Sequence, residues 1–243
     1  LQIILQIFLF TFDLIPNFLI APNAANTSSE SNKLNDLDLD SDCDAISAHR
    51  IDKLLSPSID KILLNSSSVN GVEFEDCHFN ECDFSQASFL ECKFINCTFQ
   101  RCNLSLLKIS GSTFTEVEFL ECKLVGIDWT LATWSDFNIE PELVFKKCLL
   151  NDGSFFGLSL HKLTFDGCKL HDVDFREGDF NGSIMTDCDF SYSLFMKTNL
   201  QGVDFTESAG FTINIFDNQL TQAKFSRYAA MSLLDSLDIE LVD

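Results

Sequence analysis

Cysteine is the residue type with the most evident chemical potential in this chain of 243 residues, which contains ten of them. That number suggests a disulfide framework or a metal site. Within each of two runs, nine of the ten are separated by multiples of five residues, and only Cys43 falls outside this spacing. The nine are Cys77, Cys82, Cys92, Cys97, Cys102, Cys122, Cys148, Cys168 and Cys188.

The other reactive side chains do not match any familiar catalytic pattern. The four histidines are His49, His78, His161 and His171. The sequence contains no Ser-His-Asp set, glycine-rich phosphate loop, HExxH motif or dinucleotide-binding fingerprint. We therefore predict no enzyme activity, no catalytic residue, no cofactor and no metal.

The net charge of the chain limits the kinds of molecule that it can bind. The chain has 37 acidic and 16 basic residues, a formal net charge of −21 and a pI near 4.3. Such a surface repels phosphate, so we expect no direct binding to nucleic acid. Hydrophobic residues make up 46% of the chain, which is too apolar for a disordered protein.

The spacing of phenylalanine indicates which structural element positions the cysteines and the charged residues. The chain has 25 Phe but only 2 Tyr and 2 Trp, and a large apolar residue recurs every five positions from Phe74 to Trp129 and again from Phe145 to Phe205. Neither a helix nor a simple strand has a period of five. A short extended side followed by a corner does produce such a period, and it places the central residue i and residue i−2 inside.

This inside-and-outside pattern predicts the core. Position i−2 is small or medium, for example Val72, Cys77 and Ala87, which suits a narrow tube filled without voids. The predicted central core phenylalanines are Phe74, Phe79, Phe84, Phe89, Phe94, Phe99, Phe114, Phe119, Phe145, Phe155, Phe165, Phe175, Phe180, Phe190, Phe195 and Phe205.

The repeated unit, seen as Cys-Asp-Phe-Ser-Gln over residues 82–86, resembles the pentapeptide-repeat family over roughly residues 69–225. The resemblance implies an all-β fold, a right-handed quadrilateral β-helix with four repeats to each coil and a C-terminal capping helix. About six coils, stacked about 4.8 Å apart, would make a rod roughly 30 Å long.

On such coils, residues 20 apart stack. We therefore expect one ladder of Cys82, Cys102 and Cys122 and another of Cys148, Cys168 and Cys188. Parallel side chains about 4.8 Å apart are too far apart for a relaxed disulfide, and a linear ladder does not suit tetrahedral zinc. We interpret the cysteines as reduced, small hydrophobic residues, which favours a reducing, cytoplasmic compartment.

The two runs are out of register. Trp129 and Phe145 are 16 residues apart where three repeats would need 15, so we predict one extra residue. Pro141 and residues 134–142 indicate a bulge or small loop interrupting the rod near residues 130–144. This loop either contacts a partner or is an insertion without a role.

The N-terminal part differs in composition. Residues 1–25 are mostly apolar and form a possible signal or anchor, which gives membrane association or secretion as the alternative localisation. Asp13 argues against a spanning anchor, and the absence of any Lys or Arg before Lys33 argues against a secretory signal. Residues 26–68 are interpreted as an acidic linker and possible N-terminal cap, with a helix over residues 46–64.

The C-terminal residues 226–243 are predicted to cover the open end of the rod. Ser226 is a plausible N-cap for a helix over residues 227–237, followed by a short strand over residues 239–242. In proteins that this chain resembles, such an element also pairs two subunits, so we expect either a cap alone or a homodimer formed through Leu233, Leu234 and Leu237.

Acidic residues at i+2 are the candidate partner-binding groups. They are Asp76, Glu81, Glu91, Glu116, Glu121, Asp152, Asp172, Glu177, Asp187 and Glu207. The chain resembles quinolone-protection and gyrase-inhibitor proteins, which implies a DNA-mimicking rod that binds DNA gyrase or topoisomerase IV. Two alternatives remain: acidity that only keeps an apolar core soluble, or a structural or membrane-associated scaffold.

Overall fold

The fold is a parallel β-solenoid of about eight turns that ends in a short helix. It is seen in a computed structural model that describes residues 53–55, 58–134, 142–237 and 239. Residues 1–52 lie outside the described part, and with them the predicted signal or anchor, most of the predicted linker and Cys43. Of the strand predicted over residues 239–242, only residue 239 is described. The predicted quadrilateral β-helix is confirmed.

Each coil of the solenoid has four sides, which we number in chain order from Lys53. The first side carries β1 (Lys53–Leu55), β4 (Glu73–Glu75), β7 (Lys93–Ile95) and β9 (Thr113–Thr115). The fourth side carries β3 (Ser68–Asn70), β6 (Ser88–Leu90), β14 (Leu194–Phe195) and β16 (Thr212–Ile213). The third side is joined by single parallel bridges such as Leu63 to Asp83.

The second side forms a sheet of nine strands that runs the length of the described rod. Its strands are β2 (Ser58–Asp60), β5 (His78–Asn80), β8 (Thr98–Gln100), β10 (Glu118–Leu120), β11 (Val144–Lys146), β12 (Thr164–Asp166), β13 (Ile184–Thr186), β15 (Asp204–Phe205) and β17 (Lys224–Phe225).

Stacked aromatic rings fill the interior. Phe74 pairs in register with Phe94, and Phe94 with Phe114, with ring centroids 5.0 and 5.1 Å apart. All sixteen of the predicted core phenylalanines are at most 5% exposed. Large residues at i and small ones at i−2 thus fill the tube as the period indicates.

The solenoid begins earlier than the sequence analysis proposed. In the described part of residues 46–64, the predicted helix is wrong: β1 pairs with β4 and β2 pairs with β5, both in parallel. Leu54 and Ile59 occupy central positions opposite Phe74 and Phe79, so the five-residue phase extends upstream of residue 69. This upstream coil, together with the sides that follow Phe205 as far as β17, explains why the rod has about eight turns rather than six.

The interruption is also larger than predicted. Phe119 pairs with Phe145, and Asp128 with Ser154, so the offset across this coil is 26 residues instead of 20. The 16 residues from Trp129 to Phe145 therefore cover two repeats and a six-residue insertion, not three repeats and one extra residue. Counting modulo five could not separate these possibilities, because 16 leaves the same remainder in both.

The C-terminal cap has two short helical elements. They are α1 (Arg227–Met231) and a 3₁₀ helix (Ser232–Leu237), so the predicted single helix changes type midway. Ser226 occupies the N-cap, but its hydroxyl makes no cap hydrogen bond; instead it accepts one from the Glu207 backbone N–H at 2.8 Å. The 3₁₀ helix packs against β16 at the end of the rod.

Candidate interaction surfaces and buried thiol columns

The candidate acidic residues all lie at the corners of the solenoid. All ten have φ between 53° and 61°, which is the left-handed conformation that turns the chain from one side to the next. Nine of the ten side chains are exposed and Asp76 is half-buried. The five-residue repeat therefore places these carboxylates toward solvent, at some backbone cost, since L-residues disfavour this region.

The structure distributes these ten carboxylates over all four corners rather than gathering them on one face. We number each corner by the side that it follows. The first corner carries Asp76 and Glu116, the second Glu81, Glu121, Asp187 and Glu207, the third Asp152 and Asp172, and the fourth Glu91 and Glu177. Uniform acidic rows, as a mimic of DNA requires, do not extend along the whole rod.

Basic residues interrupt the acidic row at the second corner. From the start of the rod, this corner reads Lys61, Glu81, Arg101, Glu121 and Lys147. Glu81 bonds both neighbours, with Lys61 Nζ at 3.5 Å from one carboxylate oxygen and an Arg101 guanidinium nitrogen at 3.1 Å from the other. In the first coils, ion pairs through Glu81 therefore join three successive coils at this corner.

The third side of the later coils and its two corners carry five carboxylates, and Lys169 on the same side pairs in register with Asp189. Asp152 and Asp172 stack at its third corner, Asp187 and Glu207 stack at its second corner, and Asp189 lies between the two corners. We call these five residues the third-side acidic surface. No Lys or Arg lies within ion-pair distance of any of them among the described residues.

His171 contacts the third-side acidic surface at Asp189. His171 Nε2 lies 2.7 Å from Asp189 Oδ2, and the Ser191 hydroxyl donates to Asp189 Oδ1. The Ser191 hydrogen bond, followed by His171, holds the pKa of Asp189 below its usual range. His161 lies on the first side and contacts Asp179 at 3.3 Å, so the two histidines do not converge, as the spacing indicates.

The cysteines form one long column where two ladders were expected. The 26-residue offset places Cys148 directly after Cys122, and the Cys122 backbone N–H donates to Cys148 Sγ at 3.4 Å. The predicted break between the ladders is therefore wrong, because the six extra residues keep the coils on either side of them in stacking register. This six-cysteine column consists of Cys82, Cys102, Cys122, Cys148, Cys168 and Cys188.

Each member of the column is tied to the backbone. From Cys82 to Cys168, every backbone N–H donates to the Sγ of the next cysteine at 3.4–3.5 Å, and Cys188 donates to the Ser208 hydroxyl at 2.9 Å. The thiols donate in turn to main-chain carbonyls, for example Cys122 to Phe99 O at 3.3 Å. The six residues are between 1 and 3% exposed.

Neighbouring thiols in the column also shift one another's pKa. Hydrogen bonds from the Cys122 and Cys168 thiols, with burial, raise the pKa of Cys148 above its usual range. Hydrogen bonds with Cys148 first and Cys188 second lower the pKa of Cys168.

Three further cysteines occupy other columns. Cys77 and Cys97 form a pair, and Cys92 lies alone in a column between Val72 and Ser112. All nine described cysteines are free thiols, and the described residues contain no group of three or more His, Cys, Asp or Glu placed to hold a metal ion.

The residues predicted to form a dimer lie on the C-terminal cap. Leu233 and Leu234 are half-buried, and Leu237 is 37% exposed. Tyr228 and Met231 are more exposed, at 89% and 49%, and sequence reasoning missed them because both fall outside its apolar helix face. In the part of the chain that is described, no helix is both long and apolar enough to cross a bilayer.

Stacked five-residue sides, left-handed corners and a core of phenylalanine rings define a β-solenoid repeat protein. The chain belongs to the pentapeptide repeat family, because the family model for a pentapeptide repeat region matches residues 72–155 and 158–232, more than half of the sequence. A comparison with curated proteins found no match.

Solved structures agree on the fold. Two trypsin-treated variants of QnrB1, a plasmid-mediated fluoroquinolone resistance protein, superpose with TM-scores of 0.56 and 0.52. The first is 21% identical, over 76% of this chain and 100% of that one; the second is 20% identical, over 79% and 92%. At this identity the likeness establishes the shared solenoid.

Proposed function

We propose that this protein is a non-catalytic interaction module that binds a basic surface of another protein. The third-side acidic surface supports this proposal, since it presents five carboxylates with no Lys or Arg partner among the described residues. Opposite charge steers encounter between proteins and makes the association sensitive to salt.

The partner that we propose is a type II topoisomerase, such as DNA gyrase or topoisomerase IV, bound at a surface that normally holds DNA. The four corner carboxylates of the third-side acidic surface occupy four successive coils, Asp152 and Asp172 in the first two and Asp187 and Glu207 in the next two. They give one charge per about 4.8 Å of rod, a sparser row of the same sign as duplex DNA, which carries one charge per about 1.7 Å. The fold shared with a fluoroquinolone resistance protein adds support.

Purified gyrase and topoisomerase IV test this proposal directly. Binding and supercoiling would be measured with the intact chain, with and without a fluoroquinolone, at low and physiological salt. We expect micromolar or tighter binding that weakens as salt rises. If micromolar protein neither binds nor changes supercoiling, the topoisomerase proposal is overturned.

A pair of charge-matched variants locates the contact. One carries Asp152→Asn, Asp172→Asn, Asp187→Asn and Glu207→Gln; the control carries Glu81→Gln, Glu91→Gln, Glu116→Gln and Glu121→Gln. Asn tolerates the left-handed corners. We expect the first variant to lose at least about tenfold in affinity, worth about 1.4 kcal/mol, and the control to lose less. Equal losses would mean that only net charge matters.

We further propose a cytoplasmic location and a homodimer formed through the C-terminal cap. The nine free thiols favour a reducing compartment. Exposed Tyr228, Met231 and Leu237 offer an apolar contact surface. Sedimentation of the intact chain, alone and with Tyr228→Ser and Met231→Ser, tests the dimer, while fractionation of cells with and without residues 1–25 tests the membrane-associated alternative.

A further inference from the structure

The six-cysteine column contains more thiols than the fold requires. Its next position is occupied by Ser208, which accepts the Cys188 N–H at 2.9 Å and donates to the Met185 carbonyl at 2.6 Å. Ser112 does the same for Cys92, at 2.9 and 2.8 Å. A serine therefore performs the packing and hydrogen-bonding role of a cysteine at these sites, so packing alone does not explain six sulfurs in succession.

The spacing of the column suits a particular coordination geometry. Successive strands of a parallel sheet lie about 4.8 Å apart, and the cysteine side chains extend in parallel from successive coils. A disulfide needs sulfurs about 2.05 Å apart, which would require coils to collapse together. Two metal–thiolate bonds of about 2.3 Å in a straight line span about 4.6 Å, close to the spacing of the coils.

The surroundings of each sulfur suit a thiolate ligand. From Cys102 to Cys188, each Sγ accepts a backbone N–H from the preceding coil. Such hydrogen bonds partly compensate a sulfur that has lost its proton, and outer-shell donors of this kind orient metal ligands. Because the sulfurs are in line, they cannot enclose an ion tetrahedrally, which disfavours zinc.

We propose that the six-cysteine column binds soft cations of the Cu(I) class, each held linearly between the sulfurs of two successive coils. Soft thiolates select such ions. For each ion that bridges one pair, two S–H bonds break, two metal–sulfur bonds form, two protons leave to solvent and no electron is transferred. The pair Cys77 and Cys97 offers a second, shorter site, whereas Cys92 has no thiol neighbour in its column.

Silver ions test this proposal, because Ag(I) shares the linear preference of Cu(I) and is not reduced or oxidised by thiols under these conditions. The intact chain, carrying Cys43→Ser and Cys97→Ser to remove the other sites, is refolded without oxygen in the presence of Ag(I), since the column is closed to solvent. Native mass spectrometry after competition with free thiol then counts retained ions, and melting curves report stability.

Two variants with equal numbers of thiols separate adjacency from simple thiol content. The alternating variant carries Cys102→Ser, Cys148→Ser and Cys188→Ser, which leaves no two cysteines stacked. The contiguous variant carries Cys148→Ser, Cys168→Ser and Cys188→Ser, which leaves Cys82, Cys102 and Cys122 together. We expect the contiguous variant to retain silver and to melt higher with it, and the alternating variant to do neither.

Equal silver retention by the two variants would overturn the proposal, as would a fall in the melting temperature of the parent protein, which indicates binding to unfolded chains. If either variant fails to fold, X-ray absorption of the silver-loaded parent protein tests the proposal, because it counts the sulfur neighbours of each silver ion. Two sulfur neighbours in line support the column site, whereas three or four sulfur neighbours contradict it. Repetition with Cu(I) under reducing conditions extends the result to the copper ion.

Discussion

The coils before Trp134 and those after Glu142 have the same four sides but fill them differently. On the first side, the early coils stack Phe74, Phe94 and Phe114, and the later coils carry Leu160, Phe180 and Leu200 in the same kind of position. All are at most 4% exposed. The central position thus requires volume and apolarity, and parallel stacking of rings is one of several ways to supply them.

The small positions at i−2 differ between the two regions as well. Six of the twelve such positions from Val72 to Ile127 are cysteine, whereas the later coils use several hydroxyl residues or glycine. The buried hydroxyls of the later coils are Ser183, Ser193, Thr198 and Ser208. Each donates to a carbonyl of the preceding coil, as the early thiols do. Where this slot holds a polar side chain, that side chain is therefore small and donates to the preceding coil.

The largest expected effect comes from emptying a ring stack in the early coils. Phe94 is 0% exposed and lies between Phe74 and Phe114. We predict that Phe94→Ala lowers the free energy of unfolding by about 3–5 kcal/mol, and that Leu200→Ala in the later coils costs less, because a smaller cavity forms. Urea melts measure both, with Asn80→Ala as the surface control at below about 1 kcal/mol. Equal costs for Phe94→Ala and Asn80→Ala would refute the assignment of inward positions.

The second prediction concerns Gly178, an i−2 position of the later coils at which the Phe180 ring occupies the space of a side chain. A Cβ on Gly178 would lie 2.5 Å from the Phe180 ring and 3.2 Å from the Leu158 carbonyl, and Phe180 is itself fully buried. Gly178→Ala is expected to cost about 2–3 kcal/mol through overpacking. Combining it with Phe180→Leu should recover part of this loss, and a double-mutant cycle in denaturant measures the coupling. Strictly additive effects would show that the ring does not occupy the slot.

The third prediction compares a thiol with a hydroxyl and a methyl group at one site. Cys102→Ser keeps an acceptor for the Cys82 N–H, whereas Cys102→Ala leaves that buried donor unpaired. We predict a cost of about 1–2 kcal/mol for Cys102→Ala and below about 1 kcal/mol for Cys102→Ser. The same order is expected for Ser208→Ala against Ser208→Cys in the later coils. If alanine is tolerated as well as serine, the hydrogen bond to sulfur contributes nothing measurable.

The smallest effects are expected at the third corner, where each region carries a large apolar residue with positive φ. Leu106 has φ 58° and covers Gly126, while Tyr192 has φ 64° and is 79% exposed. Asn adopts this conformation more readily than either residue. Tyr192→Asn should therefore stabilise the protein by about 0.5 kcal/mol, and Leu106→Asn by less, because it loses packing. Thermal melts at matched concentration check the sign, and destabilisation by Tyr192→Asn would point to packing that its exposure does not indicate.

Much of the fold could be predicted because the repeat is local. Each unit carries its own inward residues, so Phe74 and Phe205 are assigned to the core by the same rule. The helix expected over residues 46–64 failed, within its described part, because the upstream coil uses Leu54 and Ile59, whose phase is obscured by adjacent apolar residues. The left-handed corners could have been found from glycines such as Gly71, Gly111 and Gly157, which recur at i+2.

By itself, the sequence determined the period and the inward and outward positions, because these depend on neighbours within a few residues. The four sides of each coil were implied by the resemblance to the family. Only the tertiary structure decided which residues meet between coils. The number of residues inserted between Trp129 and Phe145 follows from the pairing of β11 with β10, and the five-residue period alone cannot give it. Because of that pairing, the two predicted cysteine ladders form one column of six cysteines. The stacking of the coils likewise places the ten candidate carboxylates at four corners.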